Sequence, residues 1–267
     1  MSDAAETPGA PALAPPDQVV APAEVRREPW HLSDTLLSLA GTVVIALFVI
    51  TFLVQAFEIP SRSMENTLKV GDYLLVDKVH YAEGGLWGRI LPYSAIHRGD
   101  IIVFRYPLQP AQHFVKRVIG LPGDRIRLVD KRVYVNGQPL SEPYARHIKR
   151  DVDAYRDYFP NFGATSSDVN PRWWMAMHNY VQGGELLVPP GHYFVLGDNR
   201  DDSEDSRYWG FVPRENIVGQ PLLIYWSVGG GEDGTGAGDD KLSGSLVSSV
   251  LRFFGDTRWE RTLRLVK

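Results

Sequence analysis

Three hydroxyl side chains, Ser61, Ser63 and Thr67, fall within seven positions of the stretch EIPSRSMENTLKVGD, where a long apolar run ends. A hydroxyl is a useful nucleophile only if a neighbouring group takes its proton. The chain has no cysteine, which excludes thiolate nucleophiles, disulfides and zinc–thiolate sites. No G-x-S-x-G elbow, H-E-x-x-H helix or Walker loop occurs. The seven histidines, at 31, 80, 97, 113, 147, 178 and 192, show no i,i+4 pairing of metal-ligand type. The acidic loop GDNRDDSEDSRYWG, residues 197–210, fails as a calcium loop on three counts. It puts Arg200 at the third position, Ser203 where glycine is needed and Trp209 where the bidentate glutamate belongs. No metal and no other cofactor is expected. A net charge of −4 and a pI of 6.0 leave no basic footprint for nucleic acid.

The elements that position these hydroxyls begin with the apolar run itself. From Leu36 to Phe57 no residue is charged; as a helix at about 1.5 Å per residue the run reaches ~33 Å, enough for a hydrocarbon core of ~30 Å. Ser33 and Asp34 supply N-cap chemistry before it. The run exceeds the ~7–15 residues of a cleaved signal's apolar region. The expectation is therefore a retained transmembrane anchor over 34–57, although Val54-Gln55-Ala56 has the small residues of a cleavage site. Residues 1–33 form a tail with six prolines and seven alanines in the first thirty positions, too poor in apolar periodicity to order itself. Basic residues flank the run almost evenly, so charge alone does not orient it.

From 58 to 228 the pattern is mainly β. YLLVDKV, DIIVFRY and HYFVLGD read as strands, RIRLVDKRVYVNGQPL alternates in period two, and Asn136-Gly137 signals a type I′ turn. Without strand–helix alternation a parallel sheet is not expected. An aromatic, aperiodic insertion over about 138–190 looks like a cap region, with Trp173 and Trp174 as packing anchors. Residues 229–267 comprise a Gly-rich linker and a basic amphipathic segment. Leu246, Val247, Val250, Leu251 and Phe254 recur at helical spacing there, which suits either an interfacial helix or one packed on the domain.

Three polar segments now stand out: PSRSM, HFVKRVIGLPGD and GDNRDDSEDSRYWG. Together, in this order behind an apolar anchor, they closely resemble the P-S-x-S-M-x-P-T-L, K-R-x-x-G-x-P-G-D and G-D-N-R-D-N-S-x-D-S-R boxes of the bacterial type I signal peptidases. The likeness covers roughly Phe57 to Trp226. Asn66 departs from the first box and Asp202 from the third, neither at a catalytic position. The resemblance implies a mainly β fold: a single transmembrane helix, then an antiparallel β-sheet catalytic domain with an inserted cap. It implies Ser63 as nucleophile, Lys116 as general base, Ser61 in the oxyanion hole, and Ser203, Asp205 and Arg207 in support. It places Phe57, Ile59, Pro60, Met64, Leu68, Phe114 and Val115 against the substrate. The partners implied are signal peptides of exported preproteins, the lipid bilayer and the translocation machinery. The location implied is the bacterial cytoplasmic membrane, with the tail inside and the catalytic domain on the periplasmic side.

The physics sets conditions on this reading. An ordinary lysine, at pKa ~10.4, costs about 4.6 kcal/mol to deprotonate at pH 7. Lys116 can serve as base only if desolvated, and Phe114, Val115, Val118 and Ile119 supply the apolar surroundings. His113 is the rival base, but an odd separation in a strand sets it on the face opposite Lys116. A LexA-like self-cleaving protein would share a Ser/Lys pair, yet calls for a DNA-binding helix-turn-helix and no membrane span. A membrane-tethered β binding module would make the three boxes decorative.

Overall fold

The computed structural model describes residues 32–81, 94–229 and 255–266. The tail up to residue 31, nearly all of the glycine-rich linker and the stretch Leu246 to Phe254 lie outside the described residues. The chain divides into two compact units after Val44. Helix α1 spans Leu32–Phe48, with Leu36, Leu37, Val43 and Val44 exposed, and a π-helical turn follows over Val49–Leu53.

The helix expected over 34–57 therefore ends early. Its last residues belong to strand β1 (Val54–Glu58), which pairs with β2 (Asp72–Asp77) from Val54 opposite Asp77 to Glu58 opposite Tyr73. A short apolar stretch suits helix and buried strand alike, and here cross-strand partners decide. Among the described residues no helix is long and apolar enough to cross a membrane.

Beyond α1 the fold is mainly antiparallel β. The larger sheet also contains β3 (Ile101–Tyr106), β4 (Gln109–Gly120), β10 (His192–Leu196), β11 (Val212–Pro213) and β12 (Ile217–Ser227). Its order is β1-β2-β12-β3-β4-β10-β11, with β13 (Arg264–Leu265) on β12. The smaller sheet runs β7-β6-β5-β9-β8, from β5 (Arg125–Val129), β6 (Arg132–Val135), β7 (Gln138–Pro139), β8 (Val181–Gln182) and β9 (Glu185–Leu187). Asn136 and Gly137 take φ of 52° and 76°, the left-handed pair that a type I′ turn needs. Asp130 and Lys131 do the same without a glycine, at 50° and 67°.

The insertion is less irregular than its sequence suggests. Both of its ends are strands of the smaller sheet, and helix α2 (Pro171–Met177) lies between them, capped by Asn170. Trp173 is buried with Met177, Tyr155, Phe159 and Phe194, and Trp174 packs against that cluster. A second cluster of Ile59, Met64, Leu68, Leu74, Val103 and Ile224 lies under the first polar segment. Of the residues after the linker, Arg261 is buried, and Thr257 bridges Val228.

Candidate active site

The first polar segment is a loop closed at its neck. Ile59 N donates to Asp72 O at 2.9 Å, and Gly71 N donates to Ile59 O at 3.0 Å. Inside it, a 3₁₀ turn over Arg62–Met64 buries Ser63 and Met64. Met64 and Leu68 anchor the turn in the core; each apolar side chain so buried stabilises the fold by about 1.5–3 kcal/mol. The three hydroxyls go separate ways. Lys116 Nζ hydrogen-bonds Ser63 Oγ at 2.6 Å, Ser61 Oγ lies 3.3 Å from Ser63 Oγ, and Thr67 Oγ1 donates to Asp198 Oδ2 at 2.6 Å.

Strand β4 delivers Lys116 because its register on β3 is fixed, Ile102 opposite Lys116 and Phe104 opposite Phe114. Lys116 is 4% exposed, with its amine 5.4 Å from the Phe114 ring centroid. It makes none of the ion pairs found among the described residues. Burial pulls its amine down to about 8, against the opposing pull of the Asp205, Glu204 and Asp198 carboxylates. An unpaired ammonium in apolar surroundings disfavours its own charge. The next residue is treated in the opposite way. Arg117 is equally buried, yet it forks onto both oxygens of Asp198 at 2.8 and 2.7 Å and stacks on Tyr144.

The third polar segment follows β10. Asp205 caps helix α3 (Ser206–Trp209) and holds Arg207 through two hydrogen bonds of 2.8 Å. Burial opposes the Arg207 cation, but Asp205 outweighs it and pushes the guanidinium up. Arg200 is held by Glu142 of the cap. Asn199 N donates to Ser63 O at 3.1 Å, which ties this loop to the first. Gly197 allows that approach: a Cβ there would sit 2.5 Å from Ser63 O and 2.2 Å from Ser203 Oγ. Ser203, expected to support the pair, makes no hydrogen bond to Lys116; its Oγ is buried without a partner.

A cavity of about 340 Å³ opens beside Ser63 and Lys116. Of the residues expected against a substrate, Phe57, Ile59, Pro60, Met64, Phe114 and Val115 line it. Leu68 does not, because it is fully buried in the core cluster that also holds Met64. His113 also lines it, with its ring 5.2 Å from Phe57. Strand parity thus failed to keep His113 away. Pairing of β4 with β10 begins only at Arg117, so the cavity wraps the open edge of β4 at 113–116. Burial and Arg105 both pull the His113 imidazole down. Sequence reasoning missed Glu58, Arg62, Asp202 and Glu204 on the rim, and the Thr67–Asp198–Arg117 network. The adjacency of Arg117 to Lys116 and of Asp198 to Asn199 was the available signal.

Fold and site together define a class: a mainly antiparallel β protein that presents a serine hydroxyl to a buried lysine in an apolar cleft. Residues 32–226 match the family model described as signal peptidase, peptidase S26. A signal peptidase I of Pseudomonas fluorescens is 37% identical over 79% of this chain and 78% of its own length. One from Pseudomonas aeruginosa is 38% identical over 68% of each chain. A solved signal peptidase I from Enterococcus faecalis is 35% identical, covering 48% of this chain and 97% of its own, at a TM-score of 0.36. The chain belongs to the signal peptidase family, peptidase S26.

Proposed function

We propose that this protein is a serine endopeptidase of the signal peptidase I type, removing N-terminal signal peptides from exported preproteins. The observation that carries the reading is the 2.6 Å contact between Ser63 Oγ and a Lys116 amine held at about 8 by burial. In its neutral form the amine accepts the Ser63 proton as Oγ attacks the scissile carbonyl, and the resulting ammonium returns a proton to the leaving amine. Ser61 Oγ, with the Ser63 backbone N–H, would stabilise the oxyanion. With the amine near 8, deprotonation at pH 7 costs about 1.4 kcal/mol rather than the ~4.6 of a solvated lysine.

The substrate lies extended along the open edge of β4, as strand addition requires. Its P1 and P3 side chains then point the same way. The apolar lining from Phe57, Ile59, Met64, Phe114 and Val115 admits small side chains, hence cleavage after small-x-small sequences. Asp205 and Arg207 brace the loop bearing Ser203. The apolar residues of α1 and the π-helical turn after it would tether the protein to the bilayer beside the translocation machinery, with the N-terminus cytoplasmic. Tethering raises the effective concentration of membrane-bound preprotein.

The test is cleavage of a purified preprotein by the detergent-solubilised protein beside its Lys116→Met variant. Cleavage after the small-x-small site by the wild type alone is expected. Cleavage by both would discard the lysine as base and return His113; cleavage by neither would discard the peptidase.

A further inference from the structure

The loop bearing Ser63 is held by two distant parts of the chain. Lys116, Asp198 and Asn199 hydrogen-bond it. The second hold comes from a segment nearly two hundred residues later in the chain. Thr257 bridges Val228 beyond the end of β12, and Arg258 donates to Val70 O at 2.5 Å and to Val228 O. Arg261 then enters the core. Its Nε donates to Asp72 Oδ1 at 3.1 Å, its Nη2 reaches Asp72 Oδ2, and the same Nη2 donates to Thr67 O at 3.1 Å. Asp72 is fully buried, and its O accepts the neck bond of the loop from Ile59 N. One guanidinium thus joins the neck of the loop to the residue four positions beyond Ser63.

This is more than a burial site for a cation. Burial pushes the Asp72 carboxyl up, but the hydrogen bonds from Arg261, Lys69 N and Ser227 outweigh it and hold the carboxylate ionised. The planar fork engages three acceptor oxygens, two of Asp72 and one of Thr67, in a fixed geometry that the rotatable donors of an ammonium do not preset. Gly71 makes room for the arrangement: with φ of 81°, a Cβ there would lie 2.5 Å from Val228 O. No residue from 255 to 266 lines the cavity, so the segment does not meet the site directly.

We propose that Arg261 is a positioning residue: through Asp72 and the Thr67 carbonyl, the C-terminal segment clamps the loop so that Ser63 Oγ stays in register with the Lys116 amine. The proposal rests on the peptidase reading above. Displacing a reacting atom by about 1 Å costs up to about 100-fold in rate. The test uses the full-length protein and compares wild type, Arg261→Lys and the double variant Arg261→Met/Asp72→Asn. The double variant removes both buried charges together, so neither is left unpaired. For the folded double variant the expected result is kcat lower by about 10- to 100-fold with KM within about twofold of wild type. Arg261→Lys should fall between. A merely structural pair would lower the melting temperature and leave kcat unchanged, and that result overturns the clamp, as does a loss carried by KM. Should the double variant fail to fold, Arg261→Lys decides alone: wild-type kcat overturns the proposal, and a reduced kcat at constant KM supports it. A wild type that does not cleave preprotein fails the underlying function instead, which its own arm shows.

Discussion

Lys116 and Arg117 are neighbours on one strand, both buried, and the protein does opposite things with them. Arg117 is met by Asp198 on two hydrogen bonds and by the Tyr144 ring, so its guanidinium is paired. Lys116 is met by a serine hydroxyl and a phenylalanine face, so its charge is disfavoured. Alternation along β4 sends one side chain to the cleft and the next to the Asp198 network. Arg207 repeats the lesson: equally buried, it is pushed up because Asp205 meets it. Burial alone therefore does not set a cation's behaviour. A carboxylate in direct contact, present or absent, does.

The sharpest way to break this contrast is Lys116→Arg. A guanidinium stays protonated and cannot take the Ser63 proton, so preprotein cleavage should fall by about 10⁴-fold or more at every pH tested. In the wild type, kcat/KM should rise about tenfold per pH unit and level off above an inflection near 8, because only the neutral amine is competent. A profile flat from pH 6 to 9 would remove Lys116 as base.

Asp205→Ala attacks the other side of the comparison. It leaves Arg207 buried without its carboxylate, which should destabilise the fold by about 3–5 kcal/mol in denaturant titration. An unchanged midpoint would mean that Arg207 finds another partner. Ser61→Ala removes one polar group beside Ser63 and should lower kcat by about 10²-fold or more with stability unchanged. The smallest effect belongs to Glu204→Gln. The Glu204 carboxylate holds the Lys116 amine up, so its neutralisation should move the inflection of the pH profile downward. An upward move would contradict that coupling.

Much of the site was legible because its signals are local. The three boxes put Ser63, Lys116 and Asp205 in one list, and Asn136-Gly137 announced its turn through the left-handed backbone such turns require. Strand parity was legible too, but it misled for His113, since it assumes a cavity confined to one face. Leu68 read as a lining residue because an apolar side chain near Ser63 looks the same above or below the turn. The buried positions of Arg117, Arg200 and Arg261 were not legible: each depends on a carboxylate supplied by a distant segment.

The sequence by itself determined that the chain is mainly β, that it offers no thiol, and which residues carry the three motifs. These follow from side-chain type, period and turn preference, all written within a few neighbouring positions. Tertiary structure decided where α1 gives way to β1, that the cleft wraps the edge of β4, and that Arg261 sits against Asp72, 189 positions away. Apolar runs and arginines are ambiguous on their own. Their state depends on which backbone edge or carboxylate the folded chain brings beside them, and only long-range packing supplies that partner.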